Sequence, residues 1–251
     1  MTGTEWRMMA LEEHNAAANM GIDEAVLEGI RDGHSPPTIR FYRWKPSAVS
    51  IGRFQGMLDE VDTERCKASG VDVVRRITGG GAVYHDYEGE LTYSVIAPES
   101  IMPKGIRESY GLICGWIISG LLDLGVKAKF APINDITVND KKISGNAQTR
   151  RDGVLLQHGT ILYSIDVRRM FSLLNVSPEK ISDKAISSVE ERVTSISSVS
   201  PGTTMKALYW AMRQGFSGGK SVAEGALTAA ESIRSAELSK RYASDSWNFY
   251  R

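Results

Sequence analysis

Apolar residues recur along this chain with two periods, and the switches between them mark its elements. Ile22, Val26 and Ile30 stand four apart with Leu27 beside them, which predicts an amphipathic helix over Met20–Ile30. Pro36-Pro37 breaks the pattern. Thr38–Trp44 is β-branched and aromatic and reads as a strand, and Ser47–Ile51 as a second one, ended by Gly52. Residues 58–69 are mostly polar, with Leu58, Val61 and Arg65 on one side at helical spacing and Gly70 as the stop. Gly70–Val74 and Leu91–Ile96 read as strands. The most apolar segment, Tyr110–Leu124, has helical spacing and a C-cap in Gly125. It is shorter than the roughly 20 apolar residues of a membrane span, so a core helix is predicted over about 107–124. Strands are expected at about 126–131, 134–139, 142–148 and 154–163, and helices at about 166–175, 203–216 and 223–242. Ser217–Lys220 reads as a flexible joint. A strand-rich middle between helical ends implies an α/β fold of the α+β kind, not a regular β-α-β-α alternation. One domain over 1–251 is expected, helical from about 221.

Composition narrows the partners. Formal charge is zero and the pI about 6.9, which points away from nucleic acid. Two cysteines, Cys66 and Cys114, are too few for a disulfide framework and fit a reducing, cytoplasmic compartment. The first residues, MTGTEWRMMALEEH, carry acids and no apolar core, so they do not read as a signal peptide. No membrane association is expected.

The chemistry concentrates in Arg75-Arg76-Ile77-Thr78-Gly79-Gly80-Gly81-Ala82-Val83-Tyr84-His85-Asp86. Glycines let a backbone approach a ligand with its N–H groups turned outward, and arginines offer planar forks to carboxylate or phosphate. The competing reading is a glycine turn beside two surface arginines. No Gly-Lys-Ser/Thr follows, so the stretch is not a P-loop, and the Gly-x-Gly-x-x-Gly spacing of a dinucleotide site is absent. If Arg75 and Arg76 continue a strand, only one of them faces a pocket.

That stretch resembles the signature of lipoate–protein ligases, a family grouped with biotin–protein ligases and lipoyl/octanoyl transferases. Three further blocks follow in the family's order: Ile133–Val138 with Lys141–Gln148, then Gln157–Leu162, then Ser188–Thr194. The likeness runs from about residue 20 to the C-terminus. Two departures stand out. After His85-Asp86, the chain reads Tyr87-Glu88-Gly89-Glu90-Leu91-Thr92 where many ligases have Gly-Asn or Gly-Asp-Leu-Asn. Longer members also continue past the position of Arg251 into an accessory domain, which implies a bipartite type with a separate accessory subunit.

The resemblance implies a large mixed β-sheet with flanking helices, as in biotin and lipoate ligases. It also implies ATP-dependent activation of lipoate to lipoyl-AMP, with Mg²⁺, and transfer of the acyl group to a lysine of a lipoyl-carrier protein. An octanoyl or lipoyl transferase of the same fold, working through a cysteine thioester, is the alternative. Cys114 lies in an apolar helix and Cys66 in a polar one, neither where that alternative needs a thiol. By resemblance Lys142 is the catalytic lysine, stabilising charge on phosphate and acyl oxygens. Lys141, its neighbour, should be exposed. Arg76 would contact nucleotide or phosphate, and Gly79, Gly80, Gly81, Ala82, Val83 and Tyr84 would floor the site. His85 is a candidate general base or a loop-orienting histidine. Asn134 and Asp135 would hold adenine, or Asp135 a Mg²⁺ on the phosphates, against the alternative of a turn. His158, Gly159 and Thr160 lie on a strand whose glycine lets the acyl chain pass, or else marks a bulge. Val73, Ile77, Val83, Ile143 and Leu156 are candidates for an apolar acyl slot. Ser188–Thr194 reads as a solvated polar loop. Trp247, Phe249 and Tyr250 are expected to pack on this domain or on a partner.

Overall fold

Two sheets of unequal size meet at the glycine-rich stretch. The computed structural model describes residues 4–175 and 183–251, with no side-chain detail at 183–186. The chain opens with strands β1 (Glu5–Met8) and β2 (Glu12–His14), helix α1 (Ala16–Arg31), then β3 (Thr38–Trp44) and β4 (Ala48–Ile51). Short helices α2 (Met57–Glu60) and α3 (Thr63–Ala68) lead to β5 (Asp72–Arg75), β6 (Val83–His85) and β7 (Glu90–Pro98). Helix α4 (Ile106–Asp123) precedes β8 (Lys129–Ala131), β9 (Asp135–Val138), β10 (Lys141–Arg151) and β11 (Val154–Leu162). The remainder is α5 (Val167–Leu173), α6 (Asp183–Arg192), α7 (Ile196–Val199), α8 (Met205–Ser217), β12 (Ser221–Glu224), α9 (Ala229–Tyr242) and α10 (Asp245–Asn248).

The large sheet runs β12-β1-β3-β7-β11-β10-β9-β8, with β2 joined to β3, and the small one runs β5-β4-β6. β1 is parallel to β12 and β3, and β3 through β8 are antiparallel, which makes the sheet mixed. Alternation along β7 separates its faces. Leu91, Tyr93 and Val95 join the core under α4 and α8, with Ile113, Ile117, Met212 and Phe216. Glu90, Thr92 and Ser94 point the other way. On that face α1 and α9 pack together over part of the sheet, and the small sheet stands over the rest.

The strand and helix expectations over 20–217 hold to within a few residues, with one split. The polar helix at 58–69 becomes α2 and α3, because Val61 is extended in an isolated bridge to Leu174 and Asp62 caps α3. The C-terminal expectation needs correction. Ser221–Glu224 is a strand, parallel to β1, and helix α9 starts only at Ala229 behind a Thr228/Glu231 capping box. Ser217–Lys220 is a hydrogen-bonded turn, with Lys220 Nζ donating to the Phe216 carbonyl at 2.7 Å and resting 3.6 Å from the Trp116 ring centre. Asp183–Arg192 is helical, where a polar loop was expected over its second half.

A buried ion pair ties the first strand to the last long helix. Arg7 Nη1 and Nη2 donate to Glu231 Oε2 and Oε1 at 2.7 and 2.6 Å, and both side chains are buried. Burial opposes the Glu231 charge, but Arg7, the Thr228 N–H and the Ser35 hydroxyl together hold its carboxyl below the usual 4.5. Glu231→Ala strands the Arg7 guanidinium without its partner, and a loss of about 3–5 kcal/mol is expected in urea melts. Because the folded pKa lies below the unfolded one, the stabilisation is complete above about pH 4.5 and fades as pH falls through the folded value. Wild type should therefore lose more of its neutral-pH stability in acid than Glu231→Ala. A mutant loss under about 1 kcal/mol would show that the pair carries little.

Candidate functional site

Both sheets contribute to one cavity of about 360 Å³, the low end of small-molecule sites. The end of β5 and the residue after it send Arg75 and Arg76 to opposite sides. Arg75 turns from the cavity and donates to the carbonyls of Arg53, Trp247 and Asn248. Arg76 borders the cavity, and all five of its N–H donors are taken by protein. Nε donates to Thr78 Oγ1 at 3.1 Å, and Nη1 to the Ser50 carbonyl and hydroxyl at 3.2 and 3.1 Å. Nη2 donates to the carbonyls of Gly79 and Gly81 at 2.9 and 2.8 Å. Its fork therefore holds the loop, and the expected contact with nucleotide or phosphate would have to compete with these five bonds. Burial pulls its pKa down to about 10, so it remains charged at neutral pH. No carboxylate among the described residues lies within ion-pair distance of it.

Holding the carbonyls fixes the amides. Gly80 has φ +102°, and no described residue accepts a hydrogen bond from the N–H of Gly80, Gly81 or Ala82, all of which border the cavity. Three unpaired donors beside an uncompensated buried cation make an anion-binding cradle. Gly79 does not border the cavity, because its carbonyl is drawn to Arg76.

Lys142 enters opposite. Asn139 and Asp140, both at positive φ, form the turn before β10. The β9–β10 register then slips between Lys142 and Ser144, a bulge that buries Ile143 in the core and leaves Lys142 at the cavity. Lys141 is exposed. Lys142 Nζ sits 2.7 Å from Asp135 Oδ1, and its chain lies across Gly145, where a Cβ would come within 2.8 Å of Lys142 Cε and Nζ. Asp135 reaches the cavity only through this pair. Asn134 borders it and is clasped to β10: its side chain donates to the Asn146 carbonyl at 2.6 Å, and Asn146 returns a bond to the Asn134 carbonyl at 2.8 Å.

His85 stacks on Trp44 with centroids 4.0 Å apart, and its ring nitrogens meet Ser50 Oγ and Glu90 Oε1, each at 2.8 Å. His158 meets Thr78 Oγ1 at 2.7 Å and faces Asp23 at 3.6 Å. Burial lowers the His158 pKa despite Asp23, with Arg76 and His85 adding to the effect. Thr160 borders the cavity, as does Gly159, but the space of a Gly159 Cβ belongs to Asn146 Oδ1 at 2.0 Å and Tyr93, not to a passing ligand.

The sequence candidates thus converge, apart from Gly79 and the indirect Asp135. The apolar slot does not: of its five candidates only Val83 borders the cavity, while Ile143 and Leu156 lie in core clusters and Val73 and Ile77 pack against others. The apolar lining comes from Trp44, Leu162, Met170, Val189 and Val193. The last two stand four apart on or beside α6, and Val193 bridges the backbone of Lys142, whose carbonyl accepts from Thr194 N–H at 2.8 Å. Both cysteines are fully buried away from the cavity, and burial pushes Cys66 up to about 11 and Cys114 to about 12. Of the terminal aromatics, Trp247 donates to the Arg75 carbonyl at 2.8 Å and Tyr250 lies under the Arg75 guanidinium, while Phe249 is exposed.

Comparison with known proteins places this geometry. A family described as the lipoyl protein ligase A/B catalytic domain matches residues 15–217. An octanoyltransferase LipM of Brevibacillus brevis is 36% identical over 98% of this chain and 99% of its own. That of Symbiobacterium thermophilum is 41% identical over 71% of this chain and 72% of its own. Among solved structures, a bipartite lipoate protein ligase from Thermoplasma acidophilum, described with its E2 lipoyl domain, superposes with a TM-score of 0.87 at 30% identity. The match covers 98% of this chain and 96% of that one. A lipoate-protein ligase A bound with ATP gives 0.84 at 29% identity, over 98% of each chain.

Proposed function

The chain belongs to the lipoyl protein ligase A/B catalytic-domain family, and from that premise we propose that it joins a lipoyl or octanoyl group to a lysine of a lipoyl-carrier domain, activating the free acid with ATP. The observation that carries the ATP route is the cavity itself. It pairs an anion cradle of loop amides with Lys142, and it has no thiol at its wall.

The chemistry follows from charge. As the carboxylate oxygen bonds to the α-phosphorus and the bond to the departing pyrophosphate breaks, negative charge grows on the phosphoryl oxygens beside the amides of Gly80, Gly81 and Ala82 and the field of Arg76. Lys142 stands across the cavity, reaches carboxylate or acyl carbonyl, and must leave Asp135 to do so. When an amine attacks the mixed anhydride, the same lysine stabilises the carbonyl oxygen and AMP departs into the cradle. Mg²⁺ would neutralise triphosphate oxygens, with Asp135, beside Lys142, the acid proposed to hold it. Asp135 is held by Lys142, and the described residues offer no group of three or more His, Cys, Asp or Glu side chains, so most ligands would be phosphate and water oxygens. The acceptor lysine is assigned to a lipoyl domain by analogy with the Thermoplasma ligase. A separate accessory subunit for the ATP step is part of this proposal. Trp247 does not argue for it, since its indole already donates to the Arg75 carbonyl.

The second reading is octanoyl transfer from a carrier thioester without ATP, and the names of the curated relatives favour it over the ligase. A route through an enzyme thioester needs Cys66 or Cys114, and both are buried with raised pKa. One experiment separates the routes: pyrophosphate release from ATP with octanoate or lipoate, alongside octanoylation of a lipoyl domain from an octanoyl thioester. The ligase reading expects pyrophosphate release, and the Cys66→Ala/Cys114→Ala protein to transfer at the wild-type rate. Transfer from the thioester alone, lost with the double substitution, would make the protein a cysteine transferase.

A further inference from the structure

Ser50 and His85 lie on one face of the small sheet. Ser50 pairs with Val83 and Ala48 with His85, which sets the two side chains diagonally on neighbouring strands. Glu90 begins β7 on the facing sheet. Ser50 Oγ is 2.8 Å from His85 Nε2, and His85 Nδ1 is 2.8 Å from Glu90 Oε1. The three are 1%, 5% and 2% exposed, yet all border the cavity. Trp44 fixes the imidazole plane by stacking, and its Nε1 donates to Thr92 Oγ1, whose hydroxyl donates to Glu90 Oε1 at 2.5 Å. A carboxylate accepting from Nδ1–H leaves Nε2 to accept from the serine hydroxyl. Arg76 Nη1 donates to the same Oγ at 3.1 Å and stabilises an alkoxide there.

We propose that Ser50, His85 and Glu90 form a nucleophilic relay that takes up the acyl group of an activated medium-chain ester or thioester as an O-acyl serine. Ser50 Oγ bonds to the acyl carbon, and the bond from that carbon to its leaving oxygen or sulfur breaks. The hydroxyl proton passes to His85 Nε2 and on to the leaving group. An incoming amine or water then attacks the ester, and Ser50 recovers its proton through His85. The unpaired amides of Gly80, Gly81 and Ala82 are the donors available to the carbonyl oxygen. This relay needs neither ATP nor a thiol, so it stands apart from the ligase reading. It would supply the covalent carrier that thioester transfer otherwise lacks in this chain.

The test is to mix the full chain with p-nitrophenyl octanoate in the absence of ATP. A burst of nitrophenolate is expected. An intact-mass gain of one octanoyl group should map to Ser50, stable to neutral hydroxylamine and absent in Ser50→Ala. Ser50→Cys should carry the adduct in a hydroxylamine-labile form. His85→Gln should slow the burst by at least about 10³-fold with an unchanged melting temperature. Should that variant fail to fold, Glu90→Gln with a shifted burst pH profile reads the same relay. No adduct on wild type, an adduct on Lys142 or any residue other than Ser50, or an unchanged burst in Ser50→Ala would overturn the proposal and leave the trio a structural brace. Wild-type pyrophosphate release is measured separately, so failure here and failure of the ligase reading remain distinct.

Discussion

Lys142→Ala is expected to lower both acyl activation and acyl transfer by about 10²–10³-fold without loss of fold. The side chain stands at the cavity on a bulged strand, while its neighbour Ile143 carries the packing. Among the described residues its Nζ pairs with Asp135, and it can swing to a ligand carbonyl or phosphate. Lys142→Arg should not restore the rate, because a planar guanidinium cannot take the place of a compact ammonium resting over Gly145. Gly145→Val should mimic the loss by displacing the lysine, since its Cβ would fall within 2.8 Å of Nζ. Lys141→Ala should do little, being exposed. Pyrophosphate release and octanoylation of a lipoyl domain read the two half-reactions. Normal turnover by Lys142→Ala would remove this lysine from the chemistry.

The turn and strand around that lysine have strong local signals, but only the family resemblance marked it out from a solvated turn lysine. Asn139-Asp140 turns the chain, and Ile143 alternates with polar neighbours. In β7, Glu90, Thr92 and Ser94 alternate with Leu91, Tyr93 and Val95, so a polar face and a core face can be read from six letters. What sequence hides is how faces from different elements meet. Glu90 and Ser50 stand forty residues apart, and His85 meets Ser50 only through the β4–β6 pairing and Glu90 only through the approach of the large sheet. The apolar wall was misplaced for the same reason: proximity to a motif put Ile143 and Leu156 in the slot, but strand alternation sends them to the core, and Val189 and Val193 arrive from a helix that composition made look like a solvated loop. β12 escaped notice because four half-exposed residues on a sheet edge have no period to betray them. Gly159 misled differently. A strand glycine does mark a close approach, but the atom approaching is Asn146 Oδ1.

Arg76 should prove as intolerant of substitution as Lys142, for a different reason. Its guanidinium is the only cation shape that can donate to Thr78, to both oxygens of Ser50, and to the carbonyls of Gly79 and Gly81 at once. Lysine has three donors on one nitrogen and cannot span that set. Arg76→Lys therefore leaves buried oxygens unsatisfied and frees the loop, and Arg76→Ala does so more completely. A stability loss of about 2–4 kcal/mol is expected for Arg76→Ala, since each orphaned buried acceptor costs about 1–3 kcal/mol and the loop relaxes in part. Affinity for the adenylate should fall at least about 10²-fold in both, because the amides of Gly80, Gly81 and Ala82 are aimed only while the Gly79 and Gly81 carbonyls are held. The pair of variants separates two roles for the arginine. If it acts by charge alone, Arg76→Lys should retain most binding and show the wild-type salt dependence. If it acts by shaping the loop, Arg76→Lys should be nearly as poor as Arg76→Ala, and titration calorimetry with a non-hydrolysable acyl-adenylate reads the difference directly. The five bonds favour the second outcome, and near-wild-type affinity in Arg76→Lys would show that the loop keeps its shape without the fork.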